Sequence, residues 1–211
     1  MRYTHIIWDF NGTILDDVET GIKSVNKLLS DRNLPVIPSV ESYRKVFGFP
    51  IIDYYRKLGF DFDKEPYEVI APLWVNEYLE NVKSAKVFPD VKRTIDLFAS
   101  RGMVQIVLSA TEREMLIKQL NDLGLADRFD DVLGLDNIHA ESKVALAKEW
   151  FSNVKNAVPV MIGDTTHDVQ TADAIGADCI LVARGHQSYE TLKECCDKVV
   201  MDLDEAVKLI I

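Results

Sequence analysis

The stretch Asp9-Phe10-Asn11-Gly12-Thr13-Ile14-Leu15-Asp16, entered from the short run His5-Ile6-Ile7-Trp8, decides how this chain is read. A brief apolar run that stops at an acid and passes into a Gly-containing turn has the pattern of a buried strand. Working outward, similar runs recur at 104–108, 159–162 and 179–182, with a weaker one at 198–201. Helical patterns with end signals lie between them. Asp90 opens one that stops at Gly102; Thr111 with Glu114 reads as a capping box for the next, which Gly124 closes. Ser142 precedes a helix carrying Val144, Leu146, Ala147 and Phe151, another runs to Gly176, and Asp202 with Glu205 opens the last. Strands alternating with helices predict an α/β fold built on a doubly wound, mostly parallel sheet.

The first strand is followed not by one helix but by several. Val18, Ile22, Val25, Leu28 and Leu29 mark one helix, Pro50 and Gly59 bound a second, and Pro66 opens a third that Pro72 is expected to kink or split. Tyr43, Tyr54, Tyr55, Tyr67, Tyr78 and Trp74 fall in the same interval. This predicts an all-helical insertion at residues 16–84, with hinges near 16–17 and 84–88, on a core formed by residues 1–15 and 85–211.

Bulk properties narrow the partners. The formal net charge is -10 over 211 residues, which disfavours nucleic acid and anionic lipid. A small anionic substrate then needs local positive charge. Cys179, Cys195 and Cys196 match neither a disulfide framework nor a zinc site, and fit a reducing cytoplasm. The N-terminal apolar run is too short for a signal peptide, and no stretch reaches the ~20 apolar residues of a membrane span. His5, His139 and His186 show no metal-ligand spacing and are assigned no role. The expected state is a cytoplasmic monomer or weak dimer.

In an open parallel sheet, ligands bind beyond the carboxyl ends of the strands. Asp9 and Asn11 follow the first strand, Ser109 the second, and Asp164 and Asp168 a later one, while Lys143 begins the helix preceding that later strand. Each alone has an ordinary reading as a turn, cap or solvated residue. Together they fall on one sheet edge.

These residues resemble the motifs of the haloacid-dehalogenase-like hydrolases. The segment 9–16 is similar to the family's first motif, Ser109 to the second, Lys143 to the third, and Gly163-Asp164 with Asp168 to the fourth. Segment 179–185 is similar to the strand and glycine loop that follow. The resemblance implies a Rossmann-like core with an inserted helical cap, nearest to phosphoglycolate phosphatases. Phe47-Gly48-Phe49-Pro50 is similar to their cap substrate loop, and Phe88-Pro89-Asp90-Val91 to the return into the core. It implies a Mg²⁺-dependent phosphatase for a small phosphorylated metabolite, with Asp9 as nucleophile. Asp9, Asp164 and the Asn11 carbonyl would hold the metal, with Asp168 beside it. Lys143, Ser109, Asn11 and Gly12 would contact the phosphoryl group, and Arg44, Lys45, Gly48 and Phe49 would face the substrate from the cap. Thr13 would order the loop.

Position 11 departs from the pattern. The family's phosphatases carry an aspartate there as the acid and base, and an amide has no proton to exchange near neutral pH. Such a group typically contributes about 10²–10⁴-fold, so Asn11 predicts a slow enzyme, and Asn11→Asp is expected to raise turnover at least about tenfold. Asp16, Asp17 and His167 are equal candidates to replace it. The alternatives are an acyl-phosphate substrate that needs no acid, dehalogenase-type attack of Asp9 on carbon, and a phosphometabolite-binding protein with little turnover.

Overall fold

The computed structural model describes residues 2–135 and 142–211; His139 lies outside them. Six parallel strands form the central sheet in the order β5-β4-β1-β6-β7-β8: β1 (His5–Trp8), β4 (Val104–Glu112), β5 (Asp131–Leu135), β6 (Pro159–Gly163), β7 (Asp178–Val182) and β8 (Val199–Val200). The alternation of side chains explains why β1 reads as a continuous apolar run. Ile6 and Trp8 join one buried cluster with Val107, Ile162 and Val182, while Ile7 joins another with Ile106, Leu108 and Met161. Helices α5 (Val91–Ser100), α6 (Arg113–Asp122) and α10 (Leu203–Ile210) cover the first face through Phe98, Leu116 and Leu203. Helices α7 (Lys143–Ser152) and α8 (Thr166–Ala174) cover the second through Ala147 and Ala172. The short α9 (Tyr189–Lys193) packs Leu192 beside β7.

β2 (Leu15–Asp16) and β3 (Lys86–Val87) pair antiparallel. Between them lie α1 (Val18–Asp31), α2 (Val40–Val46), α3 (Ile51–Lys57) and α4 (Tyr67–Asn81). These helices have an apolar cluster of their own, including Val25, Leu29, Tyr54, Tyr55 and Ile70. No helix among the described residues is long and apolar enough to cross a membrane.

Several local expectations need correction. α4 is not split at Pro72; packing of Ile70 and Trp74 in the helical cluster outweighs the missing N–H. Thr111 does not cap α6. It remains in β4, and Glu112 caps instead, accepting from the N–H groups of Glu114 and Met115. Asp90 stands at the α5 N-terminus, but its carboxylate is drawn to Arg184 at 2.6 Å and the Leu203 N–H at 3.1 Å. The edge strand β5 and the β2–β3 pair escaped the sequence reading: β5 is only half-buried over most of its length, and two-residue strands carry no period.

Candidate active site

The chain leaves β1 toward β4 and β5 on one side and returns to β6, β7 and β8 on the other. The crevice therefore opens at the carboxyl end of β1. Asp9 directly follows β1, and Asp164 directly follows β6. Ser109 and Thr111 lie where the β4–β5 register shifts between Leu108 and Glu112, a local irregularity that turns the strand end toward the crevice. Ser142 accepts from the Ala145 N–H at 3.2 Å and fixes the start of α7, which places Lys143 beneath the same edge.

The Lys143 ammonium donates to Asp9 Oδ1, and to Asp168 Oδ1 at 2.6 Å. All three side chains are buried. The other Asp168 oxygen accepts from the Asp164 N–H at 3.1 Å and from Thr165 N–H and Oγ1 at 2.9 and 2.8 Å. Asp168 thus braces both the loop and the lysine. Asp164 Oδ2 accepts the His186 N–H at 2.6 Å, and Oδ1 accepts the Thr13 hydroxyl at 3.2 Å. Ser109 Oγ accepts the Thr111 N–H at 3.1 Å, and its hydroxyl donates to Thr111 Oγ1.

One carboxylate oxygen from each of Asp9, Asp164 and Asp168 can be chosen so that all lie within 4.8 Å of one another. Asp9 and Asp168 share the Lys143 ammonium, while Asp164 makes no ion pair with a lysine or arginine among the described residues, so carboxylates outnumber cations in the cluster. Burial pushes Asp9 well above the carboxylate range despite Lys143. Burial also lifts Asp164 to about 6, with the charge of His186 opposing it. Burial pushes Asp168 the same way, but the Lys143 ammonium and the bonds from Thr165 outweigh it and hold that carboxyl below its ordinary value. Hard oxygen donors short of cationic charge fit a divalent ion such as Mg²⁺. Asp9 and Asp164 are the ligands best placed to hold it, because Asp168 is spent on Lys143 and Thr165.

Two glycines make room for Asp164. A Cβ on Gly12, whose φ is +72°, would lie 2.2 Å from Asp164 Oδ2, and one on Gly185 would lie 2.0 Å from the same atom. Gly185→Ala should displace this carboxylate and weaken Mg²⁺ binding by about 10–100-fold. The check is the Mg²⁺ concentration needed to raise the melting temperature; an unchanged midpoint would remove Asp164 from the metal site.

A family model described as haloacid dehalogenase-like hydrolase matches residues 6–182. The chain belongs to that family. Among curated relatives of this hydrolase is one bearing the name pyrophosphatase PpaX, from Caldanaerobacter subterraneus. It is 24% identical over 217 residues, covering 100% of this chain and 96% of the relative. A phosphoglycolate phosphatase of Chromobacterium violaceum is 23% identical over 198 residues, covering 89% and 88%. The fold is shared with the haloacid dehalogenase-like protein SP0104 from Streptococcus pneumoniae, at a TM-score of 0.84 and 17% identity, over 100% of this chain and 99% of that one.

In this haloacid dehalogenase-like hydrolase, Asn11 is tied into a buried network. Its Nδ2 donates to Asp17 Oδ2 at 2.8 Å and to the Tyr78 hydroxyl at 2.7 Å, and its Oδ1 accepts the Thr111 hydroxyl at 3.1 Å. Asp17 also accepts Tyr78 OH at 2.6 Å and the Gly12 N–H at 2.8 Å. His186 completes it, with Nε2 3.3 Å from Asp17 Oδ1 and Nδ1 2.8 Å from the Tyr43 hydroxyl. Burial opposes charge on both members of the pair, yet their attraction wins. It raises His186 to about 9, and with bonds from Tyr78 and Asn11 holds Asp17 below the usual carboxylate value.

The other candidates divide. Of the three possible replacements for the acid at position 11, Asp17 and His167 line the cavity above the carboxylates, whereas Asp16 is exposed and lines a separate groove. Phe49 lines the cavity with its ring stacked on His167 at 4.8 Å. Arg44 does not. Its guanidinium donates to the carbonyls of Gly185, at 2.7 Å, and Arg184, so its hydrogen-bonding capacity is spent on that loop. Lys45 pairs with Glu41 on the surface. Gly48 packs near Gln187 rather than on the cavity. The Gly12 N–H is shared between Asp17 and the Leu15 carbonyl rather than left open to a phosphate. The sequence reading missed His186, Tyr78 and Tyr43. No local pattern marks them, since their meaning comes from the buried charge of Asp17, far away in sequence.

Proposed function

We propose that this hydrolase cleaves a small phosphomonoester through an aspartyl phosphate on Asp9. The reading rests chiefly on the buried Asp9–Lys143–Asp168 bridge with Asp164 beside it, at the carboxyl end of β1 and beneath a cavity of about 330 Å³. A volume of that size suits a small metabolite. Mg²⁺ held by Asp9, Asp164 and the Asn11 carbonyl would supply the charge that lets a carboxylate approach a phosphoryl dianion. Asp9 then attacks phosphorus in line, the bond to the alcohol oxygen breaks, and water later hydrolyses the acyl phosphate. Lys143 and Ser109 hold the transferring oxygens. Residues 16–84 act as a cap that closes over the site and excludes water. The unpaired Cys179, Cys195 and Cys196 fit a reducing compartment.

Incubation with ³²P-labelled acetyl phosphate and Mg²⁺, followed by peptide mapping, is expected to place label on Asp9. Excess chelator should abolish it. Label elsewhere, or turnover indifferent to chelator, would overturn the reading; the latter result is the signature of attack on carbon.

A further inference from the structure

The cavity over Asp9 has an apolar wall that does not match a substrate with a second negative charge. Phe47, Phe49, Trp74, Val75 and Tyr78 line it from the helical insertion, and Met115 of α6 from the core. Trp74 stacks on Tyr78 at 4.9 Å, and Phe47 meets Phe49 edge-on at 5.7 Å. Phe49 and Val75 keep 40% and 38% of their surface exposed although both face the cavity. Such uncovered apolar surface is what a ring or hydrocarbon would cover.

Unpaired positive charge is absent among the described residues lining the cavity where a carboxylate would lie. Among the described residues lining the cavity, Lys143 is the one lysine or arginine, and it is bonded to Asp9 and Asp168 at the floor. The positive charge of His186 is paired with Asp17, and its other ring nitrogen meets the Tyr43 hydroxyl. Arg44 faces away, onto the carbonyls of residues 184 and 185. Segment 136–141 contains neither lysine nor arginine. The remaining carboxyl and imidazole groups on the lining are those of the acids Asp9, Asp17, Glu112 and Asp164 and of His167, which is stacked on Phe49. A carboxylate on the leaving group would lose its hydration without gaining a cation.

We infer that the substrate is a phosphomonoester whose alcohol is aromatic or otherwise apolar and bears no second anionic group. This rests on the phosphatase reading above and sets the chain apart from what the name of its phosphoglycolate phosphatase relative describes. Trp74 and Phe49 supply ring faces, Met115 a polarisable edge, and Lys143 with Ser109 the phosphoryl end.

Binding tests the wall apart from turnover. Benzylphosphonate and phosphonoacetate are titrated calorimetrically into the Mg²⁺-loaded wild-type chain, alongside the acetyl phosphate labelling of Asp9. Benzylphosphonate is expected to bind at least about tenfold more tightly. Benzyl phosphate should likewise exceed 2-phosphoglycolate in kcat/KM, a comparison between alcohols of similar acidity. Trp74→Ala should remove most of the benzylphosphonate advantage. Val75→Lys, at a half-exposed position that tolerates charge, should raise phosphonoacetate affinity several-fold. Label on Asp9 with phosphonoacetate bound as tightly as benzylphosphonate, or more so, overturns this inference and leaves the phosphatase reading standing. Absence of both label and phosphonate binding overturns the two together.

Discussion

Asp9→Asn is expected to abolish label incorporation from acetyl phosphate and to lower any phosphatase turnover by at least about 10⁴-fold, the scale on which loss of a nucleophile is felt. The neighbours that orient Asp9 survive the change. Lys143 keeps its bond to Asp168 at 2.6 Å, and the loop bonds that Asp168 accepts from Thr165 do not involve residue 9. The loss can therefore be read as chemistry rather than collapse. The same variant should be more stable than wild type when metal is removed. Burial raises the Asp9 pKa in the folded chain above its ordinary 3.8. The folded state then holds the proton more tightly than the unfolded state does. Its contribution is favourable at low pH and is lost as pH rises past 3.8 toward the folded value. An asparagine carries no such penalty at neutral pH. A higher melting temperature in excess chelator at pH 7, with no label, is the expected pair of results; retained label would remove Asp9 from the nucleophile role.

The second large effect concerns residues 11 and 17 together. The sequence alone predicts that Asn11→Asp restores an acid and raises turnover. The tertiary structure changes that expectation, because the Asn11 amide nitrogen lies 2.8 Å from Asp17 Oδ2. A carboxylate in its place would face another carboxylate at hydrogen-bond distance, inside a buried site. The single variant loses a donor to a charged acceptor, worth about 1.5–3 kcal/mol, and adds repulsion. It should be destabilised, and its gain in turnover limited. Asn11→Asp combined with Asp17→Asn exchanges the two groups and keeps one donor and one acceptor between them: the amide oxygen at position 17 keeps the Gly12 N–H, and the Tyr78 hydroxyl, already 2.7 Å from the side chain at position 11, can donate to the carboxylate there. The double variant is expected to exceed both wild type and the single variant by at least about tenfold on an ordinary alkyl phosphate. Rates for all three on the same substrate, with their melting temperatures, decide it. A single variant as fast and as stable as the double would show that Asp17 does not constrain position 11.

The parallel sheet was legible because strands buried on both faces must be apolar throughout, and residues 5–8, 159–162 and 179–182 carry that mark locally. Helix ends at Ser142, Gly102, Gly124 and Gly176 were equally local. Asp9, Ser109, Lys143 and Asp164 were found as candidates because a parallel sheet sends its strand ends to one edge, so order along the chain implies proximity. Where each side chain points is not a local property. Arg44 turns to backbone carbonyls of a loop 140 residues away. Thr111 serves Asn11 rather than a helix end. His186 takes its charge from Asp17.

Sequence by itself determined the alternation of the main strands and helices, a run of helices after β1 and the set of polar groups at the strand ends, since each follows from periodicity, caps and chain direction; β5, α2 and α9 and the β2–β3 pair did not show in it. Only the tertiary structure decided which groups share a hydrogen bond or an ion pair, and which side chains of the helical insertion line the cavity over Asp9. Hydrogen bonds and Coulomb interactions act over a few ångströms in space, whatever the separation along the chain.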